Sequence, residues 1–164
     1  RSIGVALFSL GSLTYRVKGD ALVAVKYLQE SMIMHRATDN QHGICQTINA
    51  LGVIAAGEGD YALAHTHYQQ ALRLAVDGQF EGLIKESALY MGELRVRQGQ
   101  IESGLELIGL VQVQSTGNTG LQRAISRVLD ELRADIPNDV LDTALKRGAA
   151  LDWETVLPTL VDKE

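Results

Sequence analysis

Proline occurs only twice in the 164 residues, at Pro137 and Pro158, and cysteine once, at Cys45. Scarce proline removes the strongest breaker of helices. A lone cysteine excludes an intramolecular disulfide and fits a reducing cytoplasm. No run of about 18 apolar residues is present, which excludes a membrane-spanning helix. Nor does a basic region precede an apolar stretch at the N-terminus, as an intact signal peptide requires. Aromatic residues make up 5% of the chain, while Ala, Leu, Val and Gln are plentiful. That composition predicts an all-α protein. The chain opens at Arg1 rather than at methionine, which predicts a fragment or processed product of a longer protein.

Strong charge of one sign is also missing. Residues 1–80 carry 6 Lys+Arg against 6 Asp+Glu, and residues 81–164 carry 9 against 14, which accounts for the net −5. Displacing counterions from a phosphate backbone needs clustered Lys and Arg. The pairs Arg95/Arg97, Arg123/Arg127 and Lys146/Arg147 are diluted by neighbouring acids. Direct nucleic-acid binding is therefore not expected.

What is present is a forty-residue period. Gly19, Gly59 and Gly99 share their surroundings: Asp20, Ala24 and Leu28 match Asp60, Ala64 and Tyr68, and then Gln100, Gly104 and Ile108. A period of this size marks a solenoid, whose units bury their apolar faces against their neighbours. Each unit reads as two antiparallel helices, and the whole as a right-handed superhelix. The units span about 3–42, 43–82 and 83–118, followed by a degenerate capping unit over 119–164, all within one domain.

The first unit's helices are expected over about 4–17 and from Asp20 to Arg36, and the second unit's over 44–57 and 60–75. Those of the third fall over 83–97 and 100–113. Loops are expected at 38–43, 77–82 and 115–120, where Gly, Asn, Asp and Thr gather. Each repeated glycine sits where a positive φ costs it little, and Asp20 reads as an N-cap. In the last unit, Leu121 to Ala134 form an amphipathic helix with Ile125, Val128, Leu129 and Leu132 on one side. A helix opened by Pro137 runs to Arg147. Asp152 caps a final one to Val161, bent or ended near Pro158. Small residues mark where paired helices approach: Ser12 with Ala24, Gly52 with Ala64, Gly92 with Gly104. Leu28, Tyr68 and Ile108 fill the adjoining gaps.

The residues Leu51-Gly52, Gly59-Asp60-Tyr61, Ala64, Tyr68 and Ala71 resemble the tetratricopeptide repeat. Units one and three match in part, through Tyr15 and Ala24, and through Gly92 and Ile101. The usual unit has 34 residues; the excess here is assigned to longer second helices and to the loops. A second resemblance covers residues 138–157, where a helix leads into Arg147-Gly148-Ala149-Ala150-Leu151, then Asp152-Trp153-Glu154 and a short helix. This tail is similar to the C-terminal end of large bacterial signal-transduction ATPases, including LuxR-like and MalT-like transcriptional regulators. That likeness implies a repeat region serving as sensor or interaction platform, with ATPase and DNA-binding modules elsewhere in the parent.

No residue set points to catalysis or to a cofactor. Gly57-Glu58-Gly59-Asp60-Tyr61-Ala62 fits the loose dinucleotide fingerprint, but that fingerprint must follow a strand; here a helix precedes it and the turn recurs. His65 and His67 diverge on a helix, and His35 and His42 flank a loop; all four read as surface or loop residues rather than metal ligands. Cys45 reads as a packing residue, and Trp153 as the anchor that docks the last helix.

The resemblance to tetratricopeptide repeats implies that first helices line a concave groove. The helical register places Ser9, Leu13 and Arg16 there from unit one. Gln46, Asn49 and Val53 follow from unit two, and Glu86, Tyr90, Glu93 and Arg97 from unit three. Their mixed charge argues against a simple carboxylate clamp. The expected function is binding of a protein or peptide partner, or of other domains of the parent chain. An effector-sensing domain that controls an attached ATPase or DNA-binding domain is the alternative. The first helix, apolar on more than one face at Val5, Leu7, Phe8, Leu10 and Leu13, is a second expected contact surface, through which copies self-associate.

Overall fold

The turns explain the helices. In a computed structural model, which describes residues 2–161, Gly19, Gly59 and Gly99 all have positive φ, at 65°, 85° and 87°. Asp39 and Gln79 adopt the same left-handed conformation, at 48° and 54°. The residue after the positive φ is repeatedly a cap. Asp20, Asn40 and Asp60 accept from the backbone N–H of Val23, Gly43 and Leu63. Each such cap stabilises its helix by about 1 kcal/mol. A twenty-residue step of one helix and one left-handed residue thus lies inside the forty-residue period, with a side-chain cap at its first three turns and none at Gln100.

The helices follow from that step. They are α1 (Ile3–Lys18), α2 (Ala21–Ala37), α3 (Gln41–Gly57), α4 (Tyr61–Asp77) and α5 (Glu81–Arg97), then α6 (Ile101–Gln114), α7 (Thr119–Arg133), α8 (Asn138–Ala149) and α9 (Trp153–Val161). No strand occurs among the described residues, and the fold is all-α. The helices take the last part of each expected loop, because Asn40 and Asn118 cap immediately before it. Four helices, α2 to α5, have 17 residues each. The second helix of the middle unit, α4, is therefore no longer than its first, α3. The last helix, α9, reaches Val161 as expected, with Pro158 inside it rather than at its end. Arg1 and the end of the expected capping unit, residues 162–164, lie outside the described residues.

The chain divides into two compact units at Leu83/Ile84. In the first, helix pairs meet where side chains are small. A Cβ on Gly11 would lie 3.0 Å from the Ala24 carbonyl and 2.9 Å from the Leu28 side chain. One on Gly52 would lie 2.5 Å from the Tyr68 ring. Gly11, not Ser12, is thus the close-contact residue of α1. Ala24, Leu28, Ala64 and Tyr68 are all buried, and Phe8, Tyr15 and Leu51 pack around Ala24, Leu28 and Ile54.

In the second unit Gly92 and Gly104 face one another, and a Cβ on Gly104 would lie 2.5 Å from the Gly92 carbonyl. Ile108 lies beside them, fully buried. Helix α8 lies against α6. There, Gly109 faces the backbone of Leu145 and Gly148 that of Glu106, with no room for a Cβ at either position. Gly148 is therefore a packing residue inside α8, and the turn follows it. Helix α7 buries Leu121, Ala124, Ile125, Val128, Leu129 and Leu132 along one side. The Asp152 carboxylate accepts from Thr155 N at 3.0 Å and opens α9. Trp153 is half-buried, whereas Leu160 is wholly buried.

Candidate partner-binding surface

In the first unit, the residues expected to meet a partner are unequally displayed. Arg16 is exposed on α1, and Gln46 and Val53 are half-buried on α3. Asn49 is 1% exposed, so its amide meets the protein interior. Ser9 and Leu13 are exposed. Among the apolar residues of α1, Ile3, Val5, Leu10, Leu13 and Val17 are exposed, and Leu7 and Phe8 are half-buried.

Several polar groups of this unit are buried. Ser31 Oγ donates to the Gly4 carbonyl at 2.8 Å, and Thr47 Oγ1 to the Gly43 carbonyl at 2.8 Å. His35 corrects the reading of the histidines as surface residues: it is 2% exposed, its ring wedged between Gly4 and Gly43. Either glycine, if enlarged, would meet that ring. Asn40 Nδ2 lies 3.1 Å from His35 Nδ1 while Asn40 Oδ1 accepts from Gly43 N–H. The amide thus donates to Nδ1 and leaves the proton on Nε2. Burial, aided by His42, pulls the His35 pKa below its usual value. Burial also lowers that of His67. Cys45 is wholly buried, and its thiol donates to the Ala71 carbonyl at 3.2 Å.

In the second unit, the expected residues converge. Tyr90 hydroxyl donates to Glu86 Oε1 at 3.3 Å along α5. Burial raises the Glu86 pKa, against the opposing pull of the Tyr90 hydrogen bond and the Arg127 charge. Burial and the nearby Glu86 raise that of Tyr90. One turn further on, Arg97 Nη2 pairs with Glu93 Oε1 at 2.7 Å and reaches Glu131 Oε2 on α7 at 3.3 Å. Tyr90 is 7% exposed and Glu86 and Glu93 are half-buried.

Helix α7 extends this polar surface. An open depression of about 640 Å³ runs along its exposed side, lined by Gln122, Arg123, Ser126, Arg127, Asp130 and Glu131, with Thr119 at its start. This face lies beyond the groove expected from the first three repeats. The available signal was the alternation on α7 of an apolar stripe with polar residues one turn apart.

Among the described residues, no group of three or more His, Cys, Asp or Glu could hold a metal ion. No helix among them is long and apolar enough to cross a membrane. Gly57 and Gly59, the glycines of the dinucleotide-like pattern, end α3 and form the turn after it.

A family model described as tetratricopeptide repeat matches residues 3–75. That match supports a tetratricopeptide-repeat domain. It covers α1, α2, α3 and most of α4, the stretch in which caps and close-contact residues recur most regularly. Tetratricopeptide repeats generally mediate protein–protein interaction and are typically non-catalytic scaffolds. Comparison with curated proteins and with solved structures found no match.

Proposed function

We propose that this chain is the partner-binding module of a larger cytoplasmic bacterial signalling or transcriptional regulator, and that the α5–α7 surface of its second unit takes an extended protein segment. The observation that carries this reading is the character of the depression on α7. It is open and lined by amides, hydroxyls and charges of both signs. A small effector is better held in an enclosed apolar pocket with few polar groups, so this lining favours a peptide. Gln122 offers both donor and acceptor to a passing backbone. The helix–turn–helix tail from α8 through Asp152 to α9 supports the regulator parentage.

The test is selection of peptides from a random displayed library on the purified protein. Selected peptides are then measured against Ser126→Trp, which fills the depression from an exposed position. Peptides are expected to be enriched and to lose about tenfold or more in affinity, some 1.4 kcal/mol. Failure to enrich any peptide, or affinities unchanged by Ser126→Trp, would overturn the proposal.

A further inference from the structure

The charges along the depression are ordered. Arg123 and Arg127 stand one turn apart toward the start of α7, and Asp130 and Glu131 follow. One of these four is already engaged, Glu131, held by Arg97 at 3.3 Å. The Arg127 charge also acts on Glu86, opposing the rise of its pKa. Among the described residues, no ion pair engages Arg123 or Asp130, and both are exposed. Asp130 follows Arg123 by seven residues. At about 1.5 Å of rise per residue, that places a cation and an anion on one helix side, about 10 Å apart along its axis.

We infer that this row selects a bipolar protein segment in polyproline II conformation, with a carboxylate three residues from a lysine or arginine. The inference rests on the reading of this surface as partner-binding. Polyproline II has three residues per turn and rises about 3.1 Å per residue. Residues three apart therefore share a side, separated by about 9 Å, close to the Arg123–Asp130 spacing. A β-strand fits less well, since its same-face residues lie about 7 or 13 Å apart along the strand. Polyproline II also leaves its backbone groups without internal hydrogen bonds, free to meet Gln122, Ser126 and Thr119. A segment of one sign meets one attractive and one repulsive group. A nucleic acid, anionic throughout, is repelled by Asp130.

The probes are short capped, fluorescent peptides carrying Glu-Pro-Pro-Lys or the reversed Lys-Pro-Pro-Glu, since the row does not fix chain direction. Glu-Pro-Pro-Glu, Lys-Pro-Pro-Lys and Glu-Pro-Pro-Pro-Lys are the comparisons. Titration is followed by anisotropy and by backbone amide shifts in α7, at low and high salt. One bipolar peptide is expected to bind best, to shift α7 amides, and to weaken with salt, as exposed charge pairs do. Arg123→Glu or Asp130→Lys should weaken it by about tenfold. The double variant Arg123→Glu with Asp130→Arg should prefer the peptide of opposite polarity. That reversal of preference cannot come from a folding defect. The inference is overturned if the comparison peptides bind equally, if α7 amides do not move, or if the double variant keeps the original preference. If library-selected peptides bind, are blocked by Ser126→Trp and carry no such charge pair, the inference falls while the partner-binding reading stands. If no peptide binds at all, both fall.

Discussion

In the first unit, α1 meets α2 at Gly11 and α3 meets α4 at Gly52, and the nearest groups include the Leu28 and Tyr68 side chains. In the second unit, α6 meets α8 at Gly109 and Gly148, and each faces backbone. A side chain can turn to another rotamer, at a cost of order 1 kcal/mol. A backbone carbonyl held in a helix moves only if the whole helix moves. The first unit therefore has contacts that can adjust, and the second has one that cannot. The same contrast holds for polar groups. The first unit buries hydroxyls and a histidine among its helices, whereas the second displays a charged network on α5 and α7.

Enlarging glycines breaks this comparison most directly. Gly148→Ala places a methyl group against the Glu106 backbone, and should cost about 3 kcal/mol or more despite the better helix propensity of alanine. Thermal or urea unfolding should show the loss, and hydrogen exchange should place it in α6 and α8. Equal protection of those helices in variant and parent would refute the rigid-contact account. Gly52→Ala should cost less, about 1–3 kcal/mol, because the Tyr68 ring can shift. If it proves the more damaging change, the contrast between the units is reversed.

Acid should separate the units by sign. The lowered pKa of His35 means that the unfolded chain takes up a proton at a higher pH than the folded one. First-unit stability should therefore fall as pH drops below about 6.5, at up to about 1.4 kcal/mol per pH unit and group. His67 acts in the same direction. Glu86 has the opposite linkage. Its raised pKa gives a contribution fully present below its ordinary value of 4.5 and lost as pH rises through the folded value. Hydrogen exchange at pH 7, 6 and 5, read unit by unit, should show first-unit protection falling while protonation of Glu86 favours the second. Glu86→Gln should flatten the second unit's pH dependence, and an unaltered second-unit profile would count against this assignment.

The smallest effect is expected for Arg147→Ala. Arg147 Nη1 lies 3.5 Å from Glu102 Oε2 and 3.7 Å from Glu106 Oε1, among largely exposed side chains. Such pairs contribute about 0.2–1 kcal/mol. A loss near that of Gly148→Ala would mean that charge, rather than the close fit, holds α8 on α6.

Much of the fold was legible because its signals are local. Gly19, Gly59 and Gly99 mark turns by residue type, and Asp20 and Asp60 mark caps. The large-on-small pairs recur at fixed spacing in adjacent helices. The twenty-residue step was not legible, because Asp39 and Gln79 carry no mark of the left-handed conformation that they adopt. His35 looked like a loop histidine because the glycines that enclose it lie on α1 and α3. The approach of α8 to α6 depends on Gly109 and Gly148; Gly148 looked like the turn residue after the helix, because the backbone it packs against lies on α6. Of the candidate surface, the residues on α5 followed from helical register. The face of α7 was hidden by the loss of the repeat pattern, which weakens there although the helix persists.

Cys45 has a practical consequence. It is the chain's sole thiol, fully enclosed on α3 and bonded to a carbonyl of α4. A thiol reagent can reach it only when those helices part. Its modification rate therefore clocks opening of the first unit alone, in a protein that needs no introduced label.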